Sequence, residues 1–166
     1  MNRVLLAAAL VTAGLGLAGC GFSPLYGAPG VTAQLTAIQV TTPPGRTGQL
    51  IREHLDDALA RDKGAAPRYR MDLRLSETRY PRGVRVDNVA TRYEYVLIAA
   101  YTLSALPSGS PVKTGSTRVQ VTYDSADQPY ASVSAQQDAQ DRAAGEAARK
   151  IELELAAWLA TQAGKS

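Results

Sequence analysis

The chain has 166 residues, with 18 Lys and Arg against 15 Asp and Glu, one His, one Cys and a formal charge of +3. That length suits one domain with a real hydrophobic core. A single cysteine excludes an internal disulfide, one histidine cannot build a metal site alone, and so small a net charge gives no chain-wide attraction to anionic partners.

The first segment is an export signal. Arg3 supplies a short positive start, and Val4 to Leu17 is an apolar run interrupted only by Thr12. It has the length of a signal-peptide core and is too short for a comfortable membrane span. It ends Leu17-Ala18-Gly19-Cys20, the pattern of a lipobox. Residues 1–19 therefore read as a lipoprotein signal peptide removed before Cys20. The Cys20 sulfur then carries S-diacylglycerol and the freed amine an N-acyl chain. Two or three chains anchor stably where one is marginal. No other cofactor is expected, and no metal. Gly21 in place of Asp is compatible with the outer membrane, lipid-anchored on its periplasmic side. The mature chain, 20–166, is 147 residues long with a formal charge of +2.

Residues 20–34 read as a lipidated N-terminal tether, rich in Gly, Pro and Ala, with Phe22, Leu25 and Tyr26 as pegs; 35–163 read as the folded domain. Gln34 to Thr42 alternates as a strand, ended by Pro43-Pro44-Gly45. Thr47 is the expected N-cap of a helix whose apolar positions are Leu50, Ile51, Leu55 and Leu59, closed by Gly64 and Pro67. His54 sits on this helix as a boundary residue. Tyr69, Met71, Leu73 and Leu75 alternate with Arg68, Arg70, Asp72 and Arg74 as a half-buried strand, which Tyr80-Pro81-Arg82-Gly83 is expected to break. Tyr93 to Leu106 is the longest strand, apolar on both faces near Val96–Ala100 and so central in the sheet. A turn over Leu106–Pro111 leads to its hairpin partner, where Val119, Val121 and Tyr123 alternate with polar residues. Residues 131–163 form the last helix, with a possible capping box at Ser134–Gln137 and a stripe of Ala144, Ala148, Ile151, Leu155 and Leu159. Trp158 belongs to the core edge. The expected fold is α+β: a two-layer α/β sandwich, a four-stranded mixed sheet with two helices on one face, in the order β-α-β-β-β-α.

The chain carries no P-loop, GxSxG or HExxH, and Cys20 is consumed by lipid, so it reads as no enzyme. Asp56-Asp57 and Glu152-x-Glu154 read as solvated helix charges. Tyrosine is common, eight residues against one Phe and one Trp, but tyrosines alternating in strands pack sheet edges rather than stack bases, and no nucleic-acid partner is expected. The one charged feature is the stretch Arg68–Arg92, with seven arginines against Asp72, Glu77 and Asp87. Arginine suits phosphate through its planar fork of donors. Arg79, Arg82, Arg85 and Arg92 cluster around the 76–92 connection, as an anion site or as a solvated end of the sheet. Arg68, Arg70 and Arg74 read as a solvated strand face that keeps an edge from aggregating.

The stretch Leu17-Ala18-Gly19-Cys20-Gly21-Phe22-Ser23-Pro24-Leu25-Tyr26-Gly27 resembles the start of LptE-family lipoproteins, those of alphaproteobacteria above all. The likeness continues through the element order and the final helix, with Asp138, Asp141-Arg142-Ala143-Ala144 and Ile151-x-x-x-Leu155, and so covers nearly the whole chain. The resemblance implies a non-enzymatic outer-membrane subunit of the lipopolysaccharide translocon. Such a protein plugs the LptD β-barrel, assists its assembly and contacts lipopolysaccharide during its insertion. Relatives use basic residues near the sheet end against glycolipid phosphates; the matching region here makes Arg79, Arg82, Arg85 and Arg92 the candidates. Asp124–Ser134 carries no Lys or Arg, a departure from relatives with a basic contact there. The competing reading is an accessory lipoprotein of an ABC-type lipid or solute transport system, which a deep apolar pocket would favour; a filled core would favour the plug.

Overall fold

The computed structural model describes residues 30–84, 90–125 and 128–164. In chain order these hold α1 (Val31–Leu35), β1 (Ile38–Thr41), α2 (Arg46–Ala58), β2 (Tyr69–Val84), β3 (Ala90–Ala105), β4 (Pro111–Asp124) and α3 (Pro129–Ala163). The strands form one sheet in the order β1-β2-β3-β4, with β1 parallel to β2 and the other pairs antiparallel. This is the expected α+β arrangement and element order, with a short helix added in front.

Alternation decides which face is covered. Met71 and Leu73 on β2, Tyr95, Leu97, Ala99, Tyr101 and Leu103 on β3, and Val119, Val121 and Tyr123 on β4 share one side of the pleat. All are buried in a single cluster with Ile51 and Leu55 of α2 and Ile151, Leu155 and Leu159 of α3. The helix stripe read from the sequence is this contact face. Its first half is alanine, with Ala139, Ala143, Ala144, Ala147 and Ala148 all buried, so α3 lies close against its neighbours. Trp158 packs edge-on to Tyr69 at 6.3 Å, at the core's rim as expected. Among the described residues no helix covers the opposite face of the sheet. There Val96 is 3% exposed yet outside the core cluster, paired in register with Thr78 and Gln120.

Four local expectations give way. Val31–Leu35 is helical, with Gly30 at φ 84° as its N-cap and Val31 and Leu35 buried, so the first strand starts only at Ile38. Thr47 is not the cap of α2: Gly45, at φ 117°, holds that place. Thr47 lies inside the first turn, 4% exposed, because the Pro43 carbonyl folds back over Gly48 so closely that a Cβ there would sit 2.0 Å from it. Ser134 caps nothing. The last helix starts earlier with Pro129 in its first turn, and the Ser134 hydroxyl donates back to the Tyr130 carbonyl at 3.1 Å.

The fourth correction bears on function. Tyr80-Pro81-Arg82-Gly83 does not break the strand; the β2–β3 ladder runs unshifted from Tyr69↔Ala105 to Arg82↔Arg92. The reason is parity. The Arg68 carbonyl accepts from Leu106 N–H at 2.9 Å, so even-numbered residues of β2 bond toward β3. Tyr69 N–H donates the other way, to the Ala37 carbonyl beside β1, at 3.3 Å. Pro81 is odd-numbered, and its missing N–H is one the β3 ladder does not use. β1 reaches only as far as Asp72 in register, so proline there faces an open edge.

Candidate functional site

Strand continuity turns the expected arginine loop into a sheet end. Arg79, Arg82 and Arg92 stand on paired strands; Arg85 lies outside the described residues, as does Cys20. Parity separates the arginines. Arg79 shares the helix-side face, where it donates to Gln136 Oε1 at 2.6 Å and lies 4.8 Å from the centre of the Tyr93 ring. Tyr93 in turn stacks on Tyr123 at 5.7 Å. Arg82 and Arg92 stand on the helix-free face, opposite each other in register.

Both are neutralised. Arg82 donates through Nε and Nη2 to Glu94 Oε2 at 2.9 and 2.8 Å, and Gln120 Nε2 donates to Glu94 Oε1 at 2.7 Å. Those hydrogen bonds, that of Arg82 first, hold the Glu94 carboxyl below the ordinary carboxylate range. Arg92 donates to Asp124 Oδ1 at 2.7 Å, a contact that raises the guanidinium's affinity for its proton. Asp124 is 73% exposed, so this pair is well hydrated and a competing anion can reach it. Glu94 and Asp124 lie outside the arginine stretch and were not singled out by sequence. Only the antiparallel register puts Asp124 opposite Arg92 and Glu94 two pairs from Arg82, on the same face.

Beside this end sits a polar node, also not legible in sequence. Thr47 Oγ1 of α2 and Tyr95 Oη of β3 both donate to Glu77 Oε2 of β2, at 2.9 and 2.7 Å. Burial first, then the hydrogen bond to Glu77, pushes the Tyr95 hydroxyl well above its ordinary pKa. The node ties the start of α2 to the middle of the sheet.

The other singled-out residues have structural roles. Arg70 pairs with Asp72 at 3.2 Å on the helix-free face, and Arg74, also on that face, makes no hydrogen bond or ion pair among the described residues. His54 joins α2 to α3 through Asp141 Oδ1 at 2.9 Å, with Gly145 leaving room for its ring. The acidic residues are less solvated than expected: Asp56, 16% exposed, pairs with Arg61 at 3.6 Å, and Glu154 reaches Lys113 of β4 at 2.7 Å. Among the described residues no three His, Cys, Asp or Glu side chains converge as metal ligands, and no helix is long and apolar enough to cross a membrane.

The chain enters the described body at Gly30, close to the start of β2, where Tyr69 Oη donates to Gln34 Oε1 at 3.2 Å. Arg82 lies at the far end of that strand, about 40 Å away at the rise of an extended chain. Gly30 and the arginine pair Arg82 and Arg92 therefore lie toward opposite ends of β2.

Comparison with curated proteins finds no match. Among solved structures, a candidate lipoprotein from Caulobacter crescentus CB15 is 51% identical with a TM-score of 0.71, the alignment covering 80% of this chain and 97% of that one. Lipoprotein B from Nitrosomonas europaea shares the fold at 13% identity and a TM-score of 0.56, over 74% of this chain and 83% of its own. Residues 33–155 match the LptE family, described as lipopolysaccharide-assembly. With most of the domain inside that match and the expected fold around it, the chain belongs to the LptE family.

Proposed function

We propose that this chain is a non-enzymatic, lipid-anchored outer-membrane lipoprotein that plugs an LptD-like β-barrel, assists its assembly and contacts lipopolysaccharide during insertion. The observation that carries the reading is the helix-free face of a long-stranded sheet in a member of this family. Arg70, Asp72, Arg74, Ser76, Thr78 and Arg82 line it from one strand. A barrel lumen is polar, and a face of hydrogen-bonding side chains suits it where an apolar face would not. Lipid on Cys20 would hold the tether end at the membrane and leave the arginine end free to meet anionic glycolipid. The accessory-transport reading draws less support, because the space between sheet and helices is filled by side chains and the surface hollows are lined by charged ones.

Glycolipid phosphate would compete with carboxylates the arginines already hold. Arg79 has only neutral Gln136 and an aromatic ring, so its guanidinium is the readiest donor, followed by Arg92, whose partner is the more exposed. Purification from outer membranes tests the main reading: recovery of a large β-barrel in roughly equal amount supports it, and its absence defeats it. The glycolipid part is tested by reversing Arg79, Arg82, Arg85 and Arg92 to Glu. Unchanged lipopolysaccharide binding by the folded quadruple variant would leave only the plug.

A further inference from the structure

β2 has 16 residues, and β1 pairs with only the first four. Past Asp72 no strand covers its outer side among the described residues. The parity that excuses Pro81 also fixes what that side displays. The Thr41↔Asp72 pair takes up the Leu73 N–H; beyond it Leu75, Glu77 and Arg79 turn their main-chain N–H and C=O groups outward, two residues apart, and no strand among the described residues pairs with them. Such a row is a template for another strand unless something blunts it. Only Pro81 and Gly83 do so here, and they stop the row at its far end.

Charge says what could lie on it. Arg74 has no partner among the described residues, and Arg79 has no carboxylate. They stand on opposite faces of the strand, five residues apart. The acid on this stretch, Glu77, is taken up by Thr47 and Tyr95. A second copy would set two arginines and one engaged glutamate against the same set, so self-pairing is disfavoured.

We propose that the outer edge of β2, from Arg74 to Arg79, binds an extended acidic segment of a partner polypeptide as a fifth strand, with two carboxylates five residues apart set against Arg74 and Arg79. Main-chain bonds supply the affinity and the charge spacing supplies the selectivity. Nothing in this requires the partner to be the barrel, so the proposal stands or falls apart from the plug reading.

The test uses the mature lipidated chain in detergent micelles and a synthetic nine-residue peptide of alternating Thr and Val carrying two Glu five positions apart. A control peptide carries Lys at both positions. Amide hydrogen exchange is followed at Leu75, Glu77 and Arg79, with Leu73, already bonded to β1, and Ser76 and Thr78, already bonded to β3, as internal controls. The Glu peptide should slow the three outward amides about tenfold or more, and the Lys peptide should bind about tenfold more weakly. Arg79→Pro should abolish the protection while Ser76 and Thr78 stay slow. Should that variant unfold, Arg74→Glu alone must weaken the Glu peptide and strengthen the Lys peptide. Outward amides unmoved by millimolar Glu peptide overturn the proposal. So does protection already present without peptide: if it fades on dilution a second copy covers the edge, and if it persists the chain's own segment does.

Discussion

Gly115 on β4 sits opposite Tyr101 on β3, and the tyrosine ring lies across it. A Cβ on residue 115 would stand 2.5 Å from Cε1 and 2.6 Å from both Cζ and Oη of that ring. Tyr101 is 3% exposed within the main core, so the ring has no free space to enter. Gly115→Ala therefore forces it off its rotamer or opens the β3–β4 pair. Overpacking of this kind costs about 1–3 kcal/mol. Replacing a strand glycine by alanine returns about 0.5–1 kcal/mol of chain entropy. The expected net loss is about 1–2 kcal/mol, a fall in Tm of about 3–8 °C for a domain of this size. Urea and thermal unfolding of Gly115→Ala, Tyr101→Leu and the double variant measure it. With the ring gone, alanine at 115 should become neutral or stabilising, a coupling of about 1 kcal/mol or more. An equal loss in both backgrounds would refute the steric reasoning.

Burial, first of all, raises the hydroxyl pKa of both Tyr95 and Tyr101 above the ordinary tyrosine value. A raised folded pKa stabilises below the unfolded value and ceases to do so as pH climbs above it, so unfolding midpoints should hold to about pH 10 and fall beyond it. Tyr95→Phe should flatten that fall, and a fall just as steep would put its source elsewhere. At neutral pH the same variant loses one of two donors to Glu77, costing about 1 kcal/mol, and combining it with Thr47→Val should be non-additive in chemical denaturation, since both act on one carboxylate oxygen. Glu94→Gln should strengthen lipopolysaccharide binding several-fold by releasing Arg82 from its internal anion; weaker binding by the folded variant would mean that Arg82 needs Glu94 to position it. Because the Glu94 pKa is depressed, its pairing persists at neutral pH and is lost only as pH falls below the ordinary carboxylate range.

The elements were legible wherever one residue's environment repeats along the chain. Ile51, Leu55 and Leu59, and Ala144, Ala148, Ile151, Leu155 and Leu159, mark buried helix faces because a helix returns every three or four residues to the same side. Met71 and Leu73, then Val119, Val121 and Tyr123, mark the covered sheet face by the period of two. Boundaries were less legible because propensity competes there with tertiary contact. Thr47 is a good cap by type, but its hydroxyl is claimed by a glutamate thirty residues on.

The sequence by itself determined the element order, the faces that meet, and the concentration of arginine between residues 68 and 92, since each is a local property of residue type and spacing. Tertiary structure alone decided what those arginines face. A proline that reads as a strand break is harmless on an edge left open by a four-residue neighbour, and this carries the strand through Arg82. Register then places Asp124 and Glu94 beside the cations, and pairing across strands depends on which chains lie adjacent, which no local pattern encodes.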